Sequence, residues 1–271
     1  MDHIIAILFG IVQGITEFFP VSSSGHLVLL HDLIGISVKN DLAFDVALHW
    51  GTLVALIIFF WKDIVQLARG FFTSLRHAAR DWSLHEKLAW RILVGTIPAV
   101  VFGLLLQKFD VEETLRTPWV VATLLFVIAL LFLFVERRYR GTKTLSEISY
   151  RMALLIGTAQ AFALIPGVSR SGITIIIAMA FGFVRGDAAR FSFLLSIPAV
   201  FGAGALLLPN LAGLSGQDQG IVGVGFLAAT ATGVFALRFL LAFLRSGTMR
   251  PFAWYRIVLA IALIGVALFM R

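Results

Sequence analysis

The chain has no cysteine and few charged residues, and both shortages restrict its class. Without cysteine it has no disulfide, no thiol nucleophile and no thiolate metal site. Charged residues make up 14% of its 271 residues, whereas a soluble domain of this size carries about a quarter. These shortages exclude disulfide-stabilised proteins, thiol-dependent enzymes and ordinary soluble domains.

Hydrophobic residues make up 59% of the chain and form long runs. The runs are too long and unbroken for the strands of a membrane barrel, so we predict an all-α integral membrane protein. The net charge of +7 does not indicate nucleic-acid binding, because the basic residues lie in short loops, where they set orientation. The chain begins Met1-Asp2-His3 rather than with a basic segment, so we expect no cleavable signal peptide.

A polar stretch interrupts the first apolar run at residues 13–26 (QGITEFFPVSSSGH). Lipid tolerates such groups only where they face protein or trapped water, so an ionisable cluster there indicates function. The proline and glycine within it are expected to break any helix that enters it.

A second stretch, residues 160–172 (QAFALIPGVSRSG), repeats the order of glutamine, proline, serine and glycine. Gln13 matches Gln160 and Gly25 matches Gly172, both at an offset of 147 residues. Interrupted hydrophobic segments at matching places in two halves indicate a binding site near the bilayer midplane. We predict a single membrane domain over residues 1–271, with repeat halves at about 1–140 and about 150–271.

The predicted topology is an inverted repeat with six transmembrane helices and two re-entrant helix-loop-helix segments. Fifteen lysines and arginines lie in the loops of one side and four in those of the other, which assigns the first side to the cytoplasm. Three crossings in each half then force the halves to be inverted. We also expect an interfacial helix around Trp82. The predicted re-entrant segments are 4–30 and 152–182, and the crossings are 43–61, 89–106, 118–135, 190–208, 221–243 and 253–270.

Glu17 follows Gln13 by four residues, so both share one face of the first half-helix. Glu17 either binds a metal ion or acts as a general base, and the alternative is a protonated glutamate in a structural hydrogen bond. Gln13 is neutral, so it orients a ligand but is not a base. His26 is a candidate general acid, base or metal ligand, against the alternative of a structural histidine.

Both turns carry hydroxyl groups ahead of a half-helix. Free backbone N–H groups at a helix start, together with serine hydroxyls, make an anion site. A helix cap alone needs one serine, which is fewer than the sequence supplies. We therefore assign substrate binding to Gln13, Ser22, Ser24, Gly25, Ser169, Ser171 and Gly172.

Arg170 is the one basic residue that we place deep in the membrane. Arginine there is unfavourable unless it is paired, and its planar fork suits phosphate. We expect Arg170 to pair with Glu17 and to exchange this partner for phosphate. Asp45, His49 and Thr52 line one face of the first crossing and extend the polar cavity. Arg238 and Arg256 lie near helix ends, where we expect them to snorkel to the interface.

This combination of groups suits an anion that carries phosphate, and the absence of a large soluble domain predicts a ligand within the membrane. Hydrolysis of a phosphoester or phosphoanhydride needs charge neutralisation and a positioned nucleophile. Arg170 and a Mg²⁺ or Ca²⁺ ion held by Glu17 would supply the first. A serine hydroxyl, or a water activated by His26 or Glu17, would supply the second.

The motifs at 13–26 and 166–172 (PGVSRSG), together with residues 190–198 (RFSFLLSIP), resemble the bacterial undecaprenyl-diphosphate phosphatase family, the bacitracin-resistance membrane proteins. The resemblance runs the whole length of the chain. It implies removal of one phosphate from undecaprenyl diphosphate, which gives the lipid carrier of peptidoglycan synthesis and serves cell wall biogenesis and cell shape. It also implies a divalent cation, an inner-membrane location, a site open to the periplasmic side, and resistance to bacitracin, which acts by sequestering the substrate.

The resemblance carries catalytic roles to Glu17, His26, Ser23 and Arg170. Ser23 is then the nucleophile or a phosphate contact, Arg170 the diphosphate clamp, and Glu17 the metal-binding group. The first motif position is glutamate or glutamine in the family. Here it is Gln13, which leaves Glu17 as the acid, base or metal group.

Three other functions can be compared with these motifs. Inverted repeats with broken helices are typical of transporters, so a polyprenyl-phosphate flippase, acting alone or also as a hydrolase, is the alternative. A lipid-binding scaffold leaves Arg170 unexplained. Phosphatidic-acid-phosphatase-like enzymes require a proline and a histidine where this chain has Ser23 and Ile176. The sequence does not give the oligomeric state, and a homodimer is among the arrangements it allows.

Overall fold

The computed structural model describes residues 2–33, 41–109, 115, 117–211, 214 and 216–269. Within this part of the chain the secondary structure is helical, apart from an isolated β-bridge between Lys143 and Phe183. The α-helices are α1 (Asp2–Thr16), α2 (Ser23–Val28), α3 (Asp41–Phe59), α4 (Trp61–Ser74), α5 (Leu84–Phe109), α6 (Pro118–Arg138), α7 (Tyr150–Phe162), α8 (Arg170–Ala180), α9 (Arg185–Leu207), α10 (Gly216–Phe243) and α11 (Arg250–Phe269).

Five of these helices, α5, α6, α9, α10 and α11, are long and apolar enough to cross a membrane. Helix α3 is shorter, and the chain bends by 79° between it and α4. Counting this broken pair as one crossing gives six, which is the predicted number. The protein is therefore an all-α integral membrane protein, as the sequence predicts.

The amphipathic helix beside the first crossing is α4 rather than the segment around Trp82. Its bend from α3 fits a helix that lies along the membrane surface, with Lys62 and Arg69 among its polar residues. Trp82 instead follows a short 3₁₀ turn, and its indole N–H donates to the Ser74 carbonyl at 3.2 Å. The prediction failed because the apolar and polar residues that alternate with helical period lie earlier, in 61–74.

Two hairpins of short helices account for the predicted re-entrant segments. The first joins α1 to α2 and the second joins α7 to α8. At 1.5 Å per residue, the six residues of α2 extend about 9 Å and the eleven of α8 about 17 Å. Both are far shorter than the hydrocarbon core of about 30 Å, so neither crosses it alone, as the predicted re-entrant segments require.

The turns of the two hairpins have the same backbone conformation. Ser22 and Ser169 have φ angles of 74° and 72°, and within the described residues they alone among non-glycines have positive φ. Each hydroxyl accepts a hydrogen bond from the N–H three residues ahead, at 3.3 Å from Gly25 and 3.2 Å from Gly172. Such conformations persist only where surrounding contacts hold them. The match agrees with the predicted repeat, while the division into halves remains a prediction.

The first helix of each hairpin packs on a crossing from the other half of the sequence. Helix α1 lies against α10, and α7 lies against α5. Small residues allow this approach, since a β-carbon on Gly14 would overlap the Thr232 hydroxyl and one on Gly157 would overlap the Gly95 carbonyl. The largest buried apolar cluster includes residues from both turns, among them Phe18, Val21 and Val168. This cross-packing brings the two turns together.

Candidate active site

Glu17 lies at the centre of the hydrogen bonds that join the two turns. Its Oε1 accepts from Arg170 Nη2 at 2.7 Å, and its Oε2 accepts from Ser23 Oγ at 2.8 Å and from Gln13 Nε2 at 3.1 Å. The Glu17 and Arg170 side chains are only 8% and 13% exposed. The structure thus brings together the carboxylate and guanidinium that the sequence predicted to pair, although they are separated by 153 residues.

The three consecutive serines of the first turn do different things. The Ser22 hydroxyl caps α2, and the Ser24 hydroxyl lies 3.1 Å from it and accepts from the Gly167 N–H at 3.2 Å. Ser23 alone among them donates to Glu17. The hydroxyl beside the carboxylate is therefore that of Ser23, while the other two hold the turns in place. Their predicted role in substrate binding remains a prediction.

The second turn repeats this division. Ser169 caps α8, and Ser171 donates to the Phe19 carbonyl of the first turn at 3.3 Å. A β-carbon on Gly172 would meet the Phe132 ring at 2.8 Å, so a larger residue there would force the buried ring to shift. Ser24 accepts from the backbone of the second turn and Ser171 donates to the backbone of the first, and together these two contacts lock one turn to the other.

His26 is held apart from the carboxylate and the guanidinium. Its Nδ1 lies 2.7 Å from the Ser22 carbonyl oxygen and its Nε2 lies 2.7 Å from the Tyr255 hydroxyl. The ring also stacks on Tyr255 with centroids 5.6 Å apart. A carbonyl only accepts, so Nδ1 carries a hydrogen, and in the neutral ring Nε2 accepts from the tyrosine. Both nitrogens are thus engaged outside the Glu17 network, and the catalytic role of His26 remains a prediction.

The histidine that does approach Glu17 is His49. Its Nε2 lies 3.9 Å from Glu17 Oε2, and its side chain is 42% exposed. Sequence spacing placed Asp45, His49 and Thr52 on one face of the first crossing but did not show that this face meets the first turn. One helical turn away, Asp45 pairs with His31 at 3.4 Å.

Arg256 does not snorkel to the interface as predicted, because its side chain is fully buried on α11. Its guanidinium donates to carbonyls of both turns: Gly167 at 2.8 Å, Val168 at 3.1 Å and Pro20 at 3.4 Å. Buried backbone carbonyls at broken helices need donors, and the arginine supplies them. A charged residue several positions inside an apolar crossing was the sequence signal for this role.

Tyr255 and Arg256 together make α11 a third part of the site. Tyr255 contacts His26 in the first turn, and Arg256 contacts both turns. Sequence reasoning missed this pair because neither residue lies in the repeated motifs.

A family model for the bacitracin resistance protein BacA matches residues 6–262 of the chain. The chain belongs to this family. Within it, the undecaprenyl-diphosphatases of Saccharophagus degradans and Rubrobacter xylanophilus are each 44% identical to this chain, over 269 and 268 residues. These alignments cover 99% of this chain and 100% of the first relative, and 98% of this chain and of the second. The undecaprenyl-diphosphatase of Methanosphaera stadtmanae is 39% identical over 270 residues, with 96% of both chains covered. The BacA relatives therefore span the whole chain, and their names do not favour the transport alternative.

The donor set of the site fits a divalent cation that is shared with a phosphate ligand. Within the described residues no group of three or more His, Cys, Asp or Glu side chains surrounds one point, so the protein alone offers no complete cage there. Gln13 Oε1 is buried and has no hydrogen-bond partner among the described residues, next to the Glu17 carboxylate. Mg²⁺ is commonly held by one or two carboxylates together with substrate phosphates.

Proposed function

We propose that the protein hydrolyses undecaprenyl diphosphate to undecaprenyl phosphate and inorganic phosphate. The observation that carries this proposal is the buried ion pair of Glu17 and Arg170, with the Ser23 hydroxyl donating to the same carboxylate. An arginine for phosphate, an acceptor for a proton and a hydroxyl beside it are what a phosphoanhydride hydrolase needs. The names of the BacA relatives support the same substrate.

Substrate binding begins with an exchange of partners at Arg170. In the structure its Nη2 is bound to Glu17, while Nη1 is buried with no partner among the described residues. Breaking a buried ion pair without replacement is unfavourable by about 3–5 kcal/mol, so the pair stays closed until another anion arrives. The terminal phosphate presents two oxygens to the planar guanidinium of Arg170, which binds both. Glu17 is then released from the ion pair.

Hydrolysis follows when an oxygen nucleophile attacks the terminal phosphorus. The nucleophile is the Ser23 hydroxyl or a water held in its place, and its proton goes to Glu17 Oε2, to which Ser23 already donates at 2.8 Å. The bond between the terminal phosphorus and the bridging oxygen breaks, and undecaprenyl phosphate leaves with that electron pair. If water is the nucleophile, inorganic phosphate forms directly; if Ser23 is, a water then attacks the phosphoserine, and inorganic phosphate leaves as the serine hydroxyl is restored. A divalent cation, Mg²⁺ or Ca²⁺, neutralises charge on the diphosphate when bound. Glu17 and Gln13 Oε1 would hold it.

The membrane location of this reaction is also part of the proposal. We place the multi-pass chain in the bacterial inner membrane, with its basic loops in the cytoplasm and the first hairpin entering from the periplasmic side. The site then opens to the periplasmic side, as the resemblance implies. Converting undecaprenyl diphosphate removes the ligand that bacitracin sequesters, which accounts for resistance.

The test is phosphate release from undecaprenyl diphosphate by purified protein in detergent, where transport gives no signal. Glu17→Ala and Arg170→Ala are expected to lower the rate at least a hundredfold, within the range for groups that stabilise transition-state charge. The matched control is Arg238→Ala, since Arg238 is exposed on α10. A chelator should abolish release and Mg²⁺ or Ca²⁺ should restore it. An inactive wild type, or full activity in both variants, would exclude the proposed hydrolysis.

A further inference from the structure

The hydrogen-bond network of Glu17 has an exposed edge where α3 passes it. His49 Nε2 lies 3.9 Å from Glu17 Oε2, and the His49 side chain is 42% exposed, whereas that of Glu17 is 8% exposed. The Arg170 side chain on the far side of the carboxylate is also buried, at 13% exposed. The exposed edge of the site therefore lies along α3, beside His49.

Two aromatic side chains continue this edge away from the charged groups. Trp50 follows His49 on α3, and its ring meets that of Phe201 on α9 edge-on, with centroids 5.7 Å apart and planes at 79°. Trp50 is half-buried, and Phe201 is 54% exposed. The pair thus forms an apolar wall that begins next to the site and ends at the surface of the helix bundle.

The backbone of α9 makes room for the indole of Trp50. A β-carbon on Gly204 would lie 2.9 Å from the ring, so any other residue there would displace it. The indole N–H has no hydrogen-bond partner among the described residues, although buried indoles usually find one. Packing alone therefore holds the ring in place, and what the ring offers a ligand is its aromatic surface rather than its N–H.

A second group of aromatic rings, which lies between α10 and α11, leads away from the carboxylate. There Phe19 of the first turn stacks on Phe239, with centroids 5.8 Å apart. The backbone is still helical at this point, because the N–H groups of Glu17 and Phe19 donate to the carbonyls of Gln13 and Ile15. With 3.6 residues per turn, side chains two positions apart point in nearly opposite directions, so Phe19 faces away from the side on which Glu17 binds its partners.

We propose that Trp50 and Phe201 bind the isoprene units that adjoin the diphosphate of the substrate, and so select prenyl diphosphates. This inference rests on the proposed function, in which Arg170 holds the diphosphate. The prenyl chain is bonded to that diphosphate, so its first units lie against the apolar wall that continues the exposed edge. An apolar chain gains little by leaving lipid, so close contact with the aromatic rings, rather than burial from water, provides the preference.

Binding of diphosphates that resist hydrolysis tests this proposal without relying on turnover. The three probes share a methylene-bridged diphosphate and carry a methyl group, a farnesyl chain or an undecaprenyl chain. Trp50→Ala is expected to raise the Kd of both prenyl probes about tenfold, near the upper limit for one aromatic contact, and to leave that of the methyl probe within about twofold. The two prenyl probes should lose affinity equally, because the pair covers only the first isoprene units. Trp50→Phe keeps an aromatic ring and should stay within about threefold of the wild type.

Two further variants have matched controls in the chain. Gly204→Ala displaces the indole without removing it and should raise the Kd of the prenyl probes about fivefold. Gly202→Ala on the same helix should not, because nothing lies within 4 Å of a β-carbon there. Phe201→Ala should raise this Kd about threefold, whereas Phe239→Ala, which removes a similarly exposed ring of the second aromatic group, should leave it unchanged.

A purely structural role of Trp50 predicts a different result. If the indole only packed α3 on α9, Trp50→Ala would weaken all three probes alike and lower the thermal unfolding temperature in proportion. In phosphate release, the proposed role predicts a higher KM for undecaprenyl diphosphate with kcat within about twofold of the wild type.

Failure of this inference and failure of the proposed function give different results. If the wild type releases no phosphate but binds the prenyl probes in a Trp50-dependent way, the hydrolysis fails and the prenyl site stands. The prenyl site is wrong if the wild type binds the prenyl probes no more tightly than the methyl probe, or if Trp50→Ala leaves their Kd within twofold. It is also wrong if Phe239→Ala is the variant that weakens binding, or if the loss in Trp50→Ala grows from the farnesyl to the undecaprenyl probe.

Discussion

Replacing Arg256 tests how far the site depends on a single buried side chain. Two of its hydrogen bonds are short, at 2.8 Å to the Gly167 carbonyl and 3.1 Å to the Val168 carbonyl. A hydrogen bond from a charged donor contributes about 1.5–3 kcal/mol, so these two amount to about 3–6 kcal/mol. Arg256 has no carboxylate partner among the described residues, so the desolvation cost of burying its charge is not offset by an ion pair. Removing the charge removes this cost, which compensates part of the lost hydrogen-bond energy. We expect Arg256→Met to destabilise the protein by about 2–4 kcal/mol.

The effect on activity follows from which groups Arg256 holds. Its guanidinium reaches the Pro20 carbonyl in the first turn and the Gly167 carbonyl in the second. Without it the turns that carry Glu17 and Arg170 lose their common anchor. A tenfold change in rate corresponds to about 1.4 kcal/mol of activation free energy. If half of the lost stabilisation raises the activation free energy of hydrolysis, kcat falls about tenfold. Lysine keeps the charge but not the planar fork, so Arg256→Lys should fall between the methionine variant and the wild type.

The measurement combines phosphate release from undecaprenyl diphosphate with thermal unfolding followed by tryptophan fluorescence, both in detergent. Arg238→Met is the matched control, because Arg238 is an exposed arginine on α10. If Arg256→Met stays within twofold of wild-type kcat and unfolds at the wild-type temperature, the guanidinium does not hold the turns together.

Two further predictions concern the serines and the close helix contacts. Ser23→Ala should lower phosphate release at least a hundredfold without lowering the unfolding temperature. Ser22→Ala, which removes a helix cap, should instead destabilise the protein by about 1 kcal/mol. Equal losses of activity in the two variants would contradict the separate roles of these serines. Gly157→Ala should destabilise by about 1–3 kcal/mol, since its β-carbon meets the Gly95 backbone. Gly186→Ala is its control, because nothing lies within 4 Å of that position, and equal thermal unfolding of the two variants would refute the packing argument.

Much of the fold was predictable because its signals are local. Proline, glycine and serine in an apolar run mark a broken helix, and the repeat of that signal marks a second one. The pairing of Glu17 with Arg170 was predictable for a related reason: a charge inside a bilayer needs a partner, and the sequence offered few.

The contributions of α3 and α11 to the site were harder to predict. After Arg256, α11 is apolar on all sides, so its sequence gives no periodic signal of which face meets the protein. The sequence therefore did not show that Arg256 points inward between the turns, or that Tyr255 meets His26. In the same way, spacing placed His49 on a polar face of α3, but only helix packing sets its distance from Glu17.

The two turns share one backbone conformation but differ in the side chain that follows each capping serine. Ser22 and Ser169 have nearly the same φ angle, so Ser23 and Arg170, which follow them, occupy equivalent places. The same loop conformation thus presents a hydroxyl from the first turn and a cation from the second, and the proposed reaction depends on this difference between two equivalent positions. New specificities can be sought by varying these two side chains while the capping serines and the glycines after them stay fixed.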